Sequence, residues 1–354
     1  MRDIAAQAGV SYTTVSYVMN QRDSARGIGA ETRQRVMETA AALGYRHNAV
    51  ARAMVEGGQR VIGLLIQDPA VEFRAKILAG VIEEANRSGY LIKVFPLLQN
   101  SVPESILNTC LEQRLSGVIV VNVTTESLRH VHEEFSRYGV AIAMVDDVAP
   151  QGWGVRVVSD DVAGVHSALQ HLWDLGHRRF GLLGGPPNSA VTQVRRGAYA
   201  DFLTSREVKI GPIIDAASSW AFRPEDEAQL RSALGDLQRP TAIFCVSDYL
   251  AMRVLRIARS LGLDVPRDLS VVGYSDLSVA AYADPPLTTV VQRFRDMGAL
   301  AARHIIARVE RAKVESPQIQ GATLQIYNEA LNEILPTHLV VRASTAPPIS
   351  IQRN

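Results

Sequence analysis

A row of side chains that carry hydroxyl groups lies near the amino end of the chain. Hydroxyl groups both donate and accept hydrogen bonds, so such a row could contact the base edges and phosphates of DNA. The alternative is a small bundle of helices that only packs or dimerises, and hydrophobic periodicity by itself leaves that alternative open. The outward position of the row favours contact with a nucleic acid. The row consists of Ser11, Tyr12, Thr13, Thr14, Ser16 and Tyr17, and Asn20 follows it.

Two short helices joined by a turn are predicted to position this row. The Ala-rich stretch 2–8 is followed by Gly9, which breaks the first helix, and helical periodicity restarts at Ser11, the predicted N-cap. A third helix is predicted over residues 30–44, with a glycine at its end. The predicted core residues of the three helices are Ile4, Val10, Val15, Val18, Val36, Ala40 and Leu43.

The charge of the chain is modestly asymmetric. Residues 1–60 carry eight arginines and five acidic residues, a net charge of +3, whereas the whole chain carries +1 and the remainder is therefore −2. A polyanion such as DNA is expected to bind the amino-terminal part.

A short helical segment, 48–55, and the polar linker 56–59 separate this part from the rest of the chain. Eight residues are too few for a helix that is stable alone in water, so we expect the segment to fold only on a partner.

From residue 61 onward, short apolar runs alternate with amphipathic helical stretches. This alternation predicts parallel strands joined by crossover helices, and the length fits two such sheets with a cleft between them. The first series has strands at 61–66, 91–95, 118–121 and 141–145 and helices at 73–88, 103–114 and 126–138. The second has strands at 180–183, 242–246 and 270–273 and helices at 161–175, 195–205, 225–237 and 249–260. A further helix-like stretch, 324–335, overlaps the segment 313–332, to which the sequence assigns no role.

Composition excludes several classes of protein. The 354 residues are 47% hydrophobic and 21% charged, which is typical of a soluble globular protein. No apolar run is long enough to span a bilayer, and the start of the chain lacks the apolar region of a signal peptide, so we expect a cytoplasmic protein. Cys110 and Cys245 have no partner at metal-ligand spacing, so neither a metal site nor a disulfide framework is expected.

The sequence contains none of the catalytic motifs that would indicate an enzyme. The eight histidines form no HExxH motif, no GxSxG elbow is present, and GLLGGPP at 181–187 lacks the spacing of a dinucleotide or P-loop motif. We therefore expect neither an enzyme nor a cofactor. A secreted solute-binding protein would explain only the part after residue 60 and would need an export signal.

Three strings in a fixed order resemble the lactose-repressor family of bacterial transcription regulators, and the resemblance runs the whole length of the chain. They are AGVSYTTVSYVMN at 8–20, TRQRVMETAAALGYRHNAVARAM at 32–54 and LVVRAST at 339–345. The resemblance implies an α/β core of two doubly wound parallel-sheet halves, like a periplasmic binding protein, with a small all-α helix-turn-helix headpiece. It also implies a sequence-specific DNA-binding regulator, usually a repressor, whose operator affinity is modulated by a small-molecule effector in the core cleft.

The same resemblance divides the chain and implies that it crosses between the core halves three times. The expected parts are a headpiece at 1–47, a hinge helix and linker at 48–60, a first core half at 61–160 plus 288–320, a second core half at 161–287 plus 334–346, and a tail at 347–354.

In this family the helix that opens at Ser11 enters the major groove, and the residues matching Tyr12, Thr13 and Tyr17 read bases. The segment 48–55 becomes a hinge helix in the minor groove, where an apolar side chain wedges between base pairs and kinks the duplex. The wedge position here holds Met54. The expected DNA contacts are therefore Ser11, Tyr12, Thr13, Thr14, Ser16, Tyr17, Asn20, Asn48, Ala51, Arg52 and Met54.

Several positions depart from the family pattern. Tyr17 stands where the family usually has Arg or His, so a guanine-reading fork is absent and the base preference cannot be copied. Met54 replaces the usual Leu, and His47 replaces the usual Pro before the hinge. The loop 21–29 is longer than typical. Family members have residues ahead of the position of Met1, including a Thr cap, so the first helix is expected to begin uncapped and the true translation start could lie upstream.

Open α/β sheets bind ligands beyond the carboxyl ends of their strands. In the family, the residue matching Arg195 grips ligand oxygens and the residue matching Phe222 stacks on the ligand. Ser247 and Ser275 replace an amide or carboxylate side chain, and Arg74 replaces a Phe, so we predict a sugar-derived or anionic effector, with an anion favoured. The candidate effector contacts are Asp68, Phe73, Arg74, Arg195, Phe222, Ser247, Asp248, Ser275 and Asp276.

Each of these candidates also has a structural alternative. Asp248 and Asp276 follow predicted strands and could simply cap the next segments. Phe73 and Phe222 could belong to the core, and Arg195 could lie on a solvated helix face.

The chain ends soon after Arg342 without the leucine heptads that some relatives use to form tetramers. We therefore expect a homodimer on a pseudo-palindromic, double-stranded operator. The sequence leaves open whether the effector releases or recruits DNA.

Overall fold

The computed structural model describes residues 1–19, 27–45, 60–99, 101–146, 153–187, 189–215, 223–315 and 329–349. The chain divides into two compact units, one of Met1–Arg60 with Arg114–Ser116 and one of Val61–Gln113 with Gly117–Asn354. Residues 1–60 are called the headpiece, and the second unit is called the core. Within these described ranges, no helix has both the length and the apolar character that crossing a membrane requires.

The described part of the headpiece contains three helices, α1 (Arg2–Ala8), α2 (Tyr12–Met19) and α3 (Ala30–Ala42). No described side chain caps the start of α1, as expected, and the helix ends at Gly9, whose φ of 66° is a left-handed conformation that favours glycine. The Ser11 hydroxyl accepts a hydrogen bond from the Thr14 amide at 3.0 Å, which confirms the predicted N-cap of α2.

The headpiece core is small and apolar. Leu43 was expected to belong to it but is 44% exposed. Because α3 ends at Ala42 and Gly44 turns the chain with a φ of 61°, the helical spacing no longer applies at Leu43. Val10 is only partly buried against this core. Its buried members are Ile4, Ala8, Val15, Val18, Met19, Val36 and Ala40.

The first half of the core is built on a six-stranded parallel sheet. Its strands are β1 (Val61–Gln67), β2 (Leu91–Leu97), β3 (Gly117–Val121), β4 (Ala141–Val145), β5 (Val155–Ser159) and β11 (Leu331–Leu335), in the order β11-β5-β4-β3-β1-β2. Its helices are α4 (Glu72–Arg87), α5 (Glu104–Glu112), α6 (Thr125–Tyr138) and α12 (Phe294–Glu315). Every residue of β3 and β4 is buried, as expected for central parallel strands covered on both faces.

The second half repeats this architecture. Its strands are β6 (Phe180–Gly184), β7 (Ile213–Asp215), β8 (Ala242–Cys245), β9 (Ser270–Ser275), β10 (Thr288–Val291) and β12 (His338–Val340), in the order β12-β10-β9-β8-β6-β7. Its helices are α7 (Asp161–Asp174), α8 (Ala190–Thr204), α9 (Pro224–Gly235), α10 (Asp248–Ser260) and α11 (Ser278–Tyr282). The pairings are parallel except at β12, which runs antiparallel to β10. The expected fold class of two parallel-sheet halves is confirmed.

The chain crosses between the two halves after Ser159, after Val291 and after Leu335. The second crossing lies later than expected. Residues 288–291 were assigned to the first half, but they pair with β9 in the second sheet, so the chain returns only after Val291.

The expectation of a helix over 324–335 is wrong for its last five residues, which form β11. That strand pairs in parallel with β5, and alternate residues of it are more exposed, which is the two-residue period of a strand. Local periodicity misassigned it because its partner is distant in sequence, and the short strands β5 and β7 were missed altogether. The boundary placed at residue 334 therefore falls inside β11 of the first sheet, while residues 316–328 lie outside the described ranges.

Helices α4 and α12 approach each other at two glycines. A Cβ atom added at Gly80 would lie 1.9 Å from the Arg295 carbonyl oxygen, and one added at Gly298 would lie 2.1 Å from the Ile77 carbonyl oxygen. Only hydrogen atoms fit in this space, so the two glycines allow α12 to pack on the first half after the second crossing.

Candidate functional site

One face of α2 is exposed and polar. Ser11 and Thr13 are exposed and Tyr12 is 55% exposed, whereas Val15 and Val18 on the opposite face are buried in the headpiece core. The apolar face therefore determines which side chains of α2 point outward.

The predicted DNA contacts divide into two groups. Thr14, Ser16 and Tyr17 are partly buried at the edge of the exposed face, and the Thr14 hydroxyl lies 2.9 Å from the Ser11 hydroxyl, so these two groups contact each other. The remaining predicted contacts lie outside the described residues. They are Asn20, Asn48, Ala51, Arg52 and Met54.

Two arginines of α3 bind carbonyl groups within the headpiece. Arg35 Nε donates to the Ala8 carbonyl oxygen at 3.1 Å, at the carboxyl end of α1, and Arg33 donates to the Ile28 carbonyl oxygen at 3.3 Å. The cation at the end of α1 is favourable because it lies at the negative end of the helix dipole.

A pocket of about 180 Å³ lies between the two halves of the core. The first half contributes β5, β11 and Asp146, which directly follows β4, and the second half contributes the first turns of α7 and α8. Three carboxylates and one guanidinium line the pocket, so hydrogen-bond acceptors predominate on its polar side. The lining residues are Asp146, Arg156, Val158, Ser159, Asp160, Asp161, Val162, Val191, Val194 and Ile334.

Arg195 lies behind this pocket and is only 3% exposed, so it does not lie on a solvated helix face. Its Nη1 donates to the Val246 carbonyl oxygen at 2.6 Å, and its Nη2 donates to Asp161 at 3.1 Å and to Gln292 Oε1 at 3.0 Å. The guanidinium also stacks 3.8 Å above the ring of Tyr274. Only Nε has no partner among the described residues, so most of its hydrogen-bonding capacity is used within the protein.

Gln292 connects Arg195 to both halves at the second crossing. Its Oε1 also accepts a hydrogen bond from the Ser275 hydroxyl at 3.0 Å, and its Nε2 donates to the Ser159 hydroxyl at 3.1 Å. Ser159 ends β5 in the first half, whereas Ser275 ends β9 in the second. Ser275 therefore takes part in a buried network that spans the junction.

Asp248 and Ser247 have structural contacts. Asp248 is fully buried, and its carboxylate accepts hydrogen bonds from the Leu277 amide at 2.7 Å and the Thr289 hydroxyl at 2.5 Å. Burial raises the pKa of this carboxyl group to about 7. The Ser247 hydroxyl caps α10 by accepting from the Leu250 amide at 3.3 Å. Both side chains thus support the fold beside the cleft.

Asp276 and Asp68 are also engaged locally. The Asp276 carboxylate accepts a hydrogen bond from Arg342 at 2.7 Å, and the Asp68 carboxylate accepts one from the Ala70 amide at 3.2 Å. Both aspartates have a positive φ, 50° and 26°, so each marks a sharp turn after a strand.

Phe73 and Arg74 begin α4 at the carboxyl edge of the first sheet. The Phe73 ring lies 5.5 Å from that of Phe294, as in a core contact. Arg74 donates to Gln67 at 2.8 Å and lies 4.8 Å from the centre of the Phe73 ring. Burial lowers the pKa of Arg74, and the charges of Asp68 and Asp146 oppose that shift. Phe222, the last of the predicted effector contacts, lies outside the described residues.

Asp146 was missed by the sequence analysis. Burial, followed by the neighbouring charge of Asp161, raises the pKa of its carboxyl group to about 7, against the opposing charges of Arg195 and Arg74. Its position in the sequence could have identified it, because Asp146 directly follows the apolar run of β4. Asp68 was selected as a candidate because it follows the first strand in the same way. Asp161 and Gln292 had no comparable signal, because only the folded chain brings them to Arg195.

These features define a class of protein. A helix-turn-helix headpiece with an exposed polar helix face, joined to two parallel-sheet halves with a pocket between them, is typical of DNA-binding transcription regulators that have a periplasmic-binding-protein-like core.

Comparisons with known proteins agree with this class. Residues 1–48 match the family model described as bacterial regulatory proteins, lacI family, and residues 169–345 match the periplasmic binding protein-like domain. The HTH-type transcriptional regulator MalR of Streptomyces coelicolor is 30% identical over 98% of this chain and 96% of its own length. The ribose operon repressor of Haemophilus influenzae is 28% identical over 88% of this chain and 92% of its own length.

Solved structures of such regulators share the whole architecture. The Lac repressor dimer bound to operator and the anti-inducer ONPF has a TM-score of 0.81 at 26% identity, and the match covers 97% of this chain and 98% of the repressor. The complex of the transcriptional regulator CelR with cellobiose has a TM-score of 0.67 at 25% identity, with the same coverage. The chain belongs to the lacI family of bacterial regulatory proteins and is a DNA-binding transcription regulator.

Proposed function

We propose that this regulator is a homodimeric repressor whose affinity for a pseudo-palindromic operator changes when a small molecule occupies the pocket between its core halves. This proposal rests on two features of one chain: an exposed, hydroxyl-rich recognition helix in the headpiece and a polar pocket between the two core halves.

The proposed DNA contacts begin on α2. Ser11, Tyr12, Thr13 and Tyr17 are placed to contact base edges and phosphates, with the hinge segment 48–55 and its Met54 wedge in the minor groove. The related Lac repressor binds its operator as a dimer. A two-fold dimer of this chain would present two such helices to two half-sites.

Exposed apolar side chains of the core support the dimer. Leu98 is 97% exposed and Tyr282 is 88% exposed, and Tyr249 on α10 is 47% exposed. Burying aromatic and aliphatic groups of this size on a second copy would be favourable.

The chemistry of the pocket indicates a neutral, hydroxyl-rich effector rather than the anion that the sequence favoured. The cation of Arg195 is already bound by Asp161 and Gln292, and the pocket is lined by the acidic residues Asp146, Asp160 and Asp161. Hydroxyl groups of a sugar can donate to such carboxylates, whereas a phosphate would meet like charge. The relative CelR is described in complex with cellobiose, in keeping with this class of ligand.

The proposed mechanism is a linkage between pocket and operator. A ligand that binds both halves changes the angle at which they close on each other. The hydrogen bonds of Gln292 to Ser159 and Ser275, which join the two halves, would shift with that angle. A coupling free energy of about 1 to 3 kcal/mol changes DNA affinity roughly 5- to 150-fold, which is enough to switch a promoter.

Two further inferences follow from the relatives. The homologues are transcription regulators, so we infer that this chain is not an enzyme. A regulator acts where the chromosome lies, so we place it in the cytoplasm.

Selection of genomic fragments by the purified full-length protein tests the proposal. We expect enrichment of pseudo-palindromic sites whose binding weakens steeply with salt and changes when a neutral sugar is added. Neutral sugars and their phosphorylated forms are then compared by calorimetry on the same protein. Retention of no fragment above random competitor at low ionic strength would contradict DNA reading, and tighter binding of the phosphorylated forms would contradict the proposed ligand class.

A further inference from the structure

The exposed face of α2 carries no ionised or amide side chain. Residues 11–19 contain no Arg, Lys, Asp, Glu, Asn or Gln. Thr13 and Tyr17 are four residues apart, so they lie one above the other on the same side of the helix. Burial of Val15 and Val18 on the opposite side fixes that orientation.

Not all hydroxyl groups of this face are equally available to DNA. The Ser11 hydroxyl accepts a hydrogen bond from the Thr14 amide and also contacts the Thr14 hydroxyl, so these two groups are occupied by the cap of α2. In the described part of the headpiece, the hydroxyl groups of Thr13 and Tyr17 have no such contact. Thr13 is also exposed, so its methyl group is accessible.

Residues 11–19 lack the side chains that form the usual charged or amide contacts with guanine, adenine and cytosine. Arg or Lys reads the O6 and N7 atoms of guanine, Asn or Gln reads adenine, and Glu or Asp accepts from cytosine N4. Thymine differs because its C5 methyl group is read by apolar contact, for which the methyl group of Thr is suited. Outside this face, Arg33 and Arg35 of α3 each donate a hydrogen bond to a backbone carbonyl oxygen within the headpiece.

We propose that α2 reads its operator half-site through the 5-methyl groups of thymine, with Thr13 as the specificity-determining side chain and Tyr17 packed beside it. This inference rests on the proposed function, and it narrows the operator class to half-sites with a thymine opposite Thr13.

Uracil substitution tests the proposal because it removes only the C5 methyl group. Duplexes are first enriched from a random pool by the full-length protein, and each thymine of the enriched half-site is then replaced singly by uracil. We expect at least one replacement per half-site to raise the Kd about fourfold, as for the loss of one buried methyl group. The methyl group lies in the major groove, so contacts of a hinge in the minor groove do not contribute to this response.

A double-mutant cycle assigns the contact to Thr13. Thr13→Ser deletes the side-chain methyl group and keeps the hydroxyl group, so it should weaken binding to the thymine duplex about fourfold and abolish the response to uracil. Thr39→Ser makes the same deletion on α3, where the hydroxyl group donates to the Arg35 carbonyl oxygen, and it should keep the fourfold response. Circular dichroism of the full chain checks that both variants retain the headpiece helices.

Two results would overturn the inference while leaving the proposed function intact. One is equal affinity for thymine and uracil at every position of an enriched site, and the other is a Thr13→Ser variant that responds to uracil like the wild type. A pool in which no duplex is enriched would instead overturn the proposed DNA reading itself.

Discussion

At the scale of single residues, the cleft of this regulator is organised by charges that bind each other. Arg195 and Asp161, whose side chains are 4% and 12% exposed, form an ion pair beside the pocket. The Tyr274 hydroxyl donates a hydrogen bond to the same carboxylate oxygen at 2.9 Å. Such a pair leaves little of the arginine free for a ligand, and the loss of either partner leaves an uncompensated charge.

Arg195→Met is expected to destabilise the folded chain by about 3 kcal/mol, because it leaves the largely buried Asp161 carboxylate without its cation. Arg259→Met is the matched control, since Arg259 and its partner Asp284 are 71% and 86% exposed. Urea unfolding followed by circular dichroism measures both variants. Equal losses for the two variants would contradict the special role of the buried pair.

Asp146→Asn should make stability less sensitive to pH. The pKa of Asp146 is raised to about 7, so between about pH 4 and pH 7 the folded chain holds a proton that the unfolded chain has released. The wild type therefore loses stability as pH rises through this window, and the variant does not incur that loss.

The expected result is that Asp146→Asn gains on the order of 2 kcal/mol over the wild type between pH 5 and pH 8, as one pKa unit corresponds to about 1.4 kcal/mol. Thermal unfolding at a series of pH values measures the difference. The exposed Asp201 on α8 offers the control Asp201→Asn, which should follow the wild-type curve. A difference that stays constant across this pH range would disprove the assignment.

At the scale of elements, close packing and edge pairing build the core halves. The long helix α12 returns to the first half after the second crossing and packs on α4 at Gly80 and Gly298, where backbone atoms occupy the space of any side chain. The strand β11 then extends the same sheet beside β5. Both contacts join segments that are far apart in the sequence.

Gly298→Ala is expected to destabilise the chain by about 1 to 3 kcal/mol or more, because its Cβ would lie 2.1 Å from the Ile77 carbonyl oxygen and would force the helices apart. Gly197→Ala on α8 is the matched control, since nothing lies within 4 Å of its added Cβ, and it should stabilise the chain by up to about 1 kcal/mol. Denaturant midpoints of the two variants should move in opposite directions. Movement of both in the stabilising direction would show that α4 and α12 do not touch at this point.

At the scale of the whole molecule, the proposed function depends on coupling between the pocket and the operator. Residues of both halves line the pocket, and the Gln292 network joins Ser159 of the first half to Ser275 of the second. A ligand that alters the closure of the halves would alter this network, and the proposed hinge would transmit the change to DNA.

Met54→Gly is expected to abolish tight operator binding while the dimer persists, because glycine removes the apolar wedge and disfavours the hinge helix. Met54→Leu, which restores the usual family residue, should bind at least as tightly as the wild type. Fluorescence anisotropy gives the affinities, and sedimentation gives the assembly state of both variants. Full affinity of the glycine variant would refute the wedge.

The amino-acid sequence by itself determined the class of this protein and most of its elements. Local patterns sufficed for the helix-turn-helix, the Ser11 cap and the alternation of strands and helices, because caps, turns and hydrophobic periods act over a few residues. Only the tertiary structure decided the chemistry of the cleft and the edges of the sheets. Whether Arg195 is free or bound, and whether 331–335 forms a helix or a strand, depends on Asp161, Gln292 and β5, which meet these residues only when distant parts of the chain pack together.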